Sequence, residues 1–205
     1  MDGKLIINYI TTFLILLPIS WGFKKLRPAS FAERSVLFFL IIGFVVDVTG
    51  MFYKILRTDL VIWYAGFESV FFLVFLRHYF KDHSVRLVLT ILSVAFGLLW
   101  YISFFVFTNE ASAFAYSRQF FDMLYTLLAS CFSGFLLLKM IEEADVFLKP
   151  VFWMVMAIFV YCFCSFFISA FIRDEIVEKI WYVHNLISIV ALVIFTKAFS
   201  LVKSS

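Results

Sequence analysis

Charge is scarce in this chain. Asp, Glu, Lys and Arg make up 15% of its residues, against about a quarter in soluble domains. Proline, cysteine and histidine number three each, and glycine seven. The net charge of +3 comes without a basic run or a soluble lobe. A nucleic-acid interface therefore has no footprint here, and acidic lipid headgroups account for the mild basic excess. No polar stretch between apolar runs is longer than about a dozen residues, too short for a catalytic domain of its own. Walker loops, phosphate cradles and nucleophile elbows are absent.

The three cysteines, Cys131, Cys162 and Cys164, all fall inside apolar runs. On a helix Cys162 and Cys164 point roughly 200° apart, so they close no easy bridge. Metal-site spacing with accompanying histidine is missing. They read as lipid-facing or packing residues, with no metal or cofactor expected. The leading segment "MDGKLIINYITTFLILLPISWGFKKLRP" has Asp2 beside Lys4, and its basic cluster follows the apolar stretch. Without a small-x-small cleavage site it reads as a retained first helix rather than a signal peptide.

What the chain does contain is apolar and aromatic surface. It is 64% hydrophobic, with mean hydropathy +1.04 and 30 phenylalanines among 205 residues. A water-soluble fold of this size leaves too much surface exposed to hide them, so the expected solvent is lipid. A span needs about 20 mostly apolar residues. Seven segments meet that, at 5–22, 35–56, 60–80, 86–107, 119–140, 151–172 and 180–202. They are too long and too uniformly apolar for barrel strands. The expectation is an all-α polytopic bundle of seven transmembrane helices, one domain over 1–205. Ser30 followed by Glu33 has the pattern of a capping box, and Pro150 suits a first helical turn.

Cations in short loops set orientation. One side collects Lys24, Lys25, Arg27, Arg34, Arg77, Lys81, Arg86, Lys139, Lys149 and Lys203; the other has Lys4, Lys54, Arg57, Arg118, Arg173 and Lys179. Ten against six places the N-terminus outside and the C-terminus in the cytoplasm of an inner-membrane protein.

The tripeptide Ile-Trp-Tyr occurs at 62–64 and again at 180–182, each time opening an apolar run. A shift of 115 also lays Lys24 on Lys139, Arg34 on Lys149 and Phe52 on Phe167, while the tripeptides are 118 apart. This pattern fits helices 1–3 and 5–7 as parallel repeats joined by helix 4, an arrangement found in transporters such as the sugar-transporting SWEET proteins. It also fits Trp and Tyr gathering where a bilayer meets water. The likeness to SWEET proteins is one of helix count, since only Pro18 lies within a span.

An ionisable group at membrane depth costs at least about 2.5–3.5 kcal/mol on insertion scales. Asp47, Glu68, Asp122 and His184 each carry that cost, from four different helices. At 1.5 Å per residue Asp47 and Glu68 lie roughly 12–14 Å below the outer boundary, with Asp122 and His184 shallower. One inward-facing polar layer in the outer half is expected. Gly43, Asp47 and Gly50 share a face, as do Tyr64 and Glu68. Small-polar stripes run Asp122, Thr126, Ala129, Ser133; Tyr161, Ser165, Ser169; and His184, Ser188, Ala191. Such stripes let helices approach and hydroxyls bond across the interface. Asn8 and Asn185 are candidates for the same layer.

Three acids and one histidine favour a cationic guest. Burial penalises a carboxylate's charge, which makes Glu68 the candidate proton site. The same residues also suit a self-satisfied hydrogen-bond network, or interfacial wetting of Asp122 and His184. Zinc hydrolysis is chemically conceivable with such ligands. The ceramidase-like hydrolases, however, have a histidine pair on the last helix, where this chain has only His184, and His78 and His83 fall at the cytoplasmic end. Lys197 suggests a retinal Schiff base, yet it lies roughly 25 Å from the outer end of its helix. Snorkelling to the inner surface explains it instead.

The segments "WYAGFESVFFLVF" with Glu68, "FWMVMAIFVY" and the closing "HNLISIV" resemble small seven-helix membrane proteins common in Bacteroidota. That resemblance spans most of the chain. It implies the seven-helix fold, marks Glu68 and Asn185 as notable, and implies no activity. The function expected is non-enzymatic: a transporter- or receptor-like bundle binding a proton, cation or small polar ligand through Asp47, Glu68, Asp122, Tyr161, His184 and Asn185. The alternative is a membrane scaffold docking a cytoplasmic protein partner through its basic loops. A metal-dependent intramembrane hydrolase comes last.

Overall fold

The computed structural model describes residues 3–26, 29–52, 54–106, 111–142, 145–171 and 177–202. They form eight α-helices: α1 (Gly3–Leu14), α2 (Leu16–Lys24), α3 (Phe31–Phe52), α4 (Lys54–Tyr79), α5 (His83–Val106), α6 (Ala111–Ile141), α7 (Pro150–Phe171) and α8 (Val177–Ser200). A 3₁₀ turn, Val146–Leu148, precedes α7. No strand occurs among the described residues.

Local chemistry sets several helix starts. The capping box before α3 forms as expected: the Ser30 N–H donates to Glu33 Oε2 at 2.6 Å, and the Glu33 N–H donates to Ser30 Oγ at 3.3 Å. The Ser84 N–H donates to Asp82 Oδ1 at 2.8 Å, which starts α5. Pro150 is the first residue of α7, where its missing N–H costs nothing. The first expected span, 5–22, is present as one apolar stretch, Ile6–Lys24, with a local irregularity at Ile15. Pro18 has no N–H to give the Leu14 carbonyl, and a single turn residue, Ile15, still in the right-handed helical region, separates α1 from α2.

Six stretches are long and apolar enough to cross a membrane: Ile6–Lys24, Phe31–Phe52, His83–Ile102, Phe120–Ile141, Pro150–Ala170 and Tyr182–Ser200. The seventh expected run, 60–80, lies in α4, part of whose side chains fall outside the described set. Lys4, Lys54, Arg57, Arg118, Arg173, Lys179 and Trp181 have side chains outside it too, as do Arg27 and Lys203.

Packing follows chain order. The pair α1/α2 meets α3 and α8, α3 meets α4, α4 meets α6, α6 meets α7, and α7 meets α8. These elements close a ring, and α3 touches α7 across it. Helix α5 lies outside the ring, chiefly against α4 with a smaller contact to α6.

The driest part of the core sits toward the end that carries Lys24, Arg34, Arg77 and Lys139. Val36, Leu73, Leu76, Met154, Val155, Ile158 and Phe199 are buried completely or nearly so. Aromatic rings extend this core along the α3–α4 seam. Phe39 stacks on Phe71 at 4.5 Å and 7° and also touches Phe67 and Phe72. Trp63 and Trp100 meet edge-on at 4.5 Å between α4 and α5.

Gly66 makes the α4–α5 approach possible, because a Cβ there would run into the Trp100 indole. Gly66→Ala is expected to destabilise the protein by about 1–3 kcal/mol, the usual range for overpacking. Thermal unfolding in lipid nanodiscs should show a clearly smaller loss when Trp100→Leu is already present.

Candidate functional site

Glu68 occupies the middle of α4 and is 4% exposed. A carboxyl group so placed must receive its hydrogen bonds from the protein. Two phenols from other helices supply them. The Tyr125 hydroxyl of α6 donates to Glu68 Oε1 at 3.3 Å, and the Tyr161 hydroxyl of α7 is also hydrogen-bonded to the Glu68 side chain. Tyr64, one turn before Glu68 on the same face of α4, is also within electrostatic reach of its carboxyl. Its hydroxyl lies where a side chain on Gly43 would stand, since a Cβ there would come within 2.8 Å of the Tyr64 oxygen.

Around this centre the expected layer assembles in part. Asp122 of α6 and Asp47 of α3 both act electrostatically on Glu68. Asp122 is half-buried. The His184 ring of α8 meets the Tyr161 ring edge-on at 6.1 Å, and Asn185 is buried beside it in sequence at 7% exposure. Four acids and bases from α3, α4, α6 and α8 thus share one level with three tyrosines.

Two expectations are corrected. Asp47 is exposed rather than buried inside, although Gly43 and Gly50 on its expected face are buried. Helix α3 is covered by α2 and α4, with only a slight contact to α7, so the Asp47 position opens at the rim of the layer. Of the stripe hydroxyls, Tyr161 bonds across to Glu68 as expected, whereas those of Thr126, Ser133 and Ser188 do not. Thr126 donates to the Asp122 carbonyl at 2.6 Å, Ser133 to that of Ala129 at 2.6 Å, and Ser188 to that of His184 at 3.0 Å. Each satisfies itself one turn back in its own helix.

Ser165 behaves differently. The buried serines Ser69, Ser93, Ser130 and Ser133 all donate to a carbonyl of their own helix. Ser165 is 6% exposed, and its hydroxyl has no hydrogen-bond partner. It lies one turn beyond Tyr161 on α7, away from the dry core.

Tyr125 is the site residue that sequence reasoning missed. The available signal was its position three residues after Asp122, on the same face of the helix. Asn8 is half-buried on α1, and Lys197 is exposed at the basic end of α8. Cys162 is buried, Cys164 half-buried and Cys131 exposed. Among the described residues no group of three or more His, Cys, Asp or Glu is placed to hold a metal ion.

The Tyr125–Glu68 bond is long beside the 2.7–2.8 Å usual for O–H···O contacts. Tyr161→Phe is therefore expected to cost more stability than Tyr125→Phe, with each loss within about 0.5–2 kcal/mol. Double-mutant cycles against Glu68→Gln, read by unfolding in nanodiscs, should place the larger coupling on Tyr161. No family model, curated protein or solved structure matches the chain, so a reading of this layer rests on its own chemistry.

Proposed function

We propose that this chain is a multi-pass protein of the inner membrane, with seven spans, its N-terminus outside and its C-terminus in the cytoplasm. In this reading it performs no covalent chemistry. It binds a proton or a small cation at Glu68, reached from the outer side, in the manner of a carrier or a receptor. One observation carries the proposal: a carboxyl group buried in the bundle and held by phenols of two other helices. Ionisable groups so placed mark ion and proton sites in membrane proteins.

The packing order supports a 3+1+3 repeat within that reading. If α1/α2, α3 and α4 correspond to α6, α7 and α8, then the α4–α6 contact is the counterpart of the α8–α2 contact. The α3–α7 contact maps onto itself, and α5 is left outside as the linker. Glu68 then belongs to one half and its two phenols to the other. Transporters built from repeats place substrate and ion sites at such a seam. The resemblance to small Bacteroidota membrane proteins belongs to the same proposal.

A labelling experiment tests access from outside. With Cys131, Cys162 and Cys164 replaced, single cysteines are placed at Ser165 and Ser188 and challenged in intact cells with a membrane-impermeant thiol reagent. Modification at both positions is expected, at a rate changed by Glu68→Gln. Protection of both in folded protein would mean a dry structural network and would favour the scaffold that docks a cytoplasmic partner.

A further inference from the structure

We propose that the guest of the Glu68 layer is an organic ammonium ion rather than a metal ion, an inference that rests on the reading of Glu68 as the binding acid. Charge points that way first. Glu68, Asp122 and Asp47 act on one another's surroundings, while the described Lys and Arg side chains belong to the opposite end of the bundle. Nothing cationic among the described residues opposes a positive guest in this layer.

The walls then select the kind of cation. A metal ion wants four or more nitrogen, sulfur or oxygen ligands closing on one point. No triad of His, Cys, Asp or Glu among the described residues converges so. Phenol rings from three helices converge instead: Tyr64 of α4, Tyr125 of α6 and Tyr161 of α7 all feel the Glu68 charge. Phe72 lies edge-on to Tyr161 at 6.1 Å on the dry side. Aromatic rings beside a carboxylate are the recognition chemistry of alkylammonium groups, whose charge is spread and whose methyl or methylene surface is apolar.

An independent observation points to a ligand at the same place. The Ser165 hydroxyl is buried and unbonded, one turn outward of Tyr161 on the same face of α7. Every other buried serine among the described residues has turned to a backbone carbonyl. Ser165 therefore offers a donor and an acceptor to whatever enters above Glu68. Asp47, which acts electrostatically on Glu68, is the exposed acid of the layer. The long Tyr125 bond is the one a guest displaces most cheaply.

The test uses the full chain purified into nanodiscs, with tetramethylammonium chloride as the probe and sodium chloride at equal ionic strength as the control. Isothermal titration calorimetry should show saturable binding of tetramethylammonium and none of sodium. Glu68→Gln and Tyr161→Leu should each weaken binding about tenfold or more, and Tyr161→Phe, which keeps the ring, by less than about threefold. Tetramethylammonium should also slow thiol modification of Ser165→Cys, and this readout remains if one of the Tyr161 variants fails to fold.

Equal binding of sodium, or no effect of Tyr161→Leu in folded protein, overturns the organic-cation assignment. Infrared difference spectra on a pH change separate the two readings. A protonated-carboxyl band lost in Glu68→Gln, without tetramethylammonium binding, sinks this inference and leaves the proton site standing. Neither signal would sink both.

Discussion

A carboxyl group placed among apolar helices has no water to turn to, and the architecture of this bundle is organised around giving Glu68 its partners. Its hydrogen bonds come from α6 and α7, so the group fixes the distance and rotation of three helices at once. Lipid offers helices no hydrophobic reason to associate, because its tails are as apolar as leucine. Packing shape and a few polar contacts must therefore specify the arrangement. Ring stacking along α3 and α4 supplies the shape, and the Glu68 triad supplies the register between the helices that follow.

The two halves of the bundle's length are built on different principles. Toward the basic end the interior is filled by large apolar side chains with essentially no exposure. Among its buried polar residues, Glu33 closes a capping box, and Ser130 and Ser133 bond within their own helix. At and beyond Glu68 the described buried residues include Tyr125, Thr126, Ser165 and Asn185. The dry, apolar packing at the basic end and the polar layer around Glu68 make the two ends of the bundle chemically unlike. The wide separation of Lys197 from the layer fits the same division.

Much of this was legible in residue order. Apolar run length alone located the helices, since lipid leaves a spanning backbone few other ways to satisfy itself. The Ser30–Glu33 cap and the Pro150 start followed from local chemistry that needs no tertiary context. Glu68 and Tyr161 stood out because an acid or a phenol at membrane depth needs a reason. What residue order did not carry was rotation about each helix axis relative to the neighbours. Asp47 has buried glycines on its expected face, yet it is exposed because α3 is covered mainly by α4 and α2. Tyr125 was overlooked for the converse reason: in a chain rich in aromatics a single phenol is unremarkable until the helix facing it is known. The hydroxyl stripes misled because serine and threonine in lipid find a carbonyl one turn back more readily than a partner across a seam.

The sequence separation within the Glu68 triad has a consequence for how the protein is made. Glu68 and Tyr125 are 57 positions apart, and Tyr161 comes later still. At ordinary synthesis rates of about 5–20 residues per second, α4 precedes the first of its phenols by roughly 3–11 s. During that interval the acid has already been delivered to the insertion machinery with neither partner in existence. Helix α3, made before α4, and α5, made in between and lodged against it through Trp63 and Trp100, are the neighbours α4 has by then.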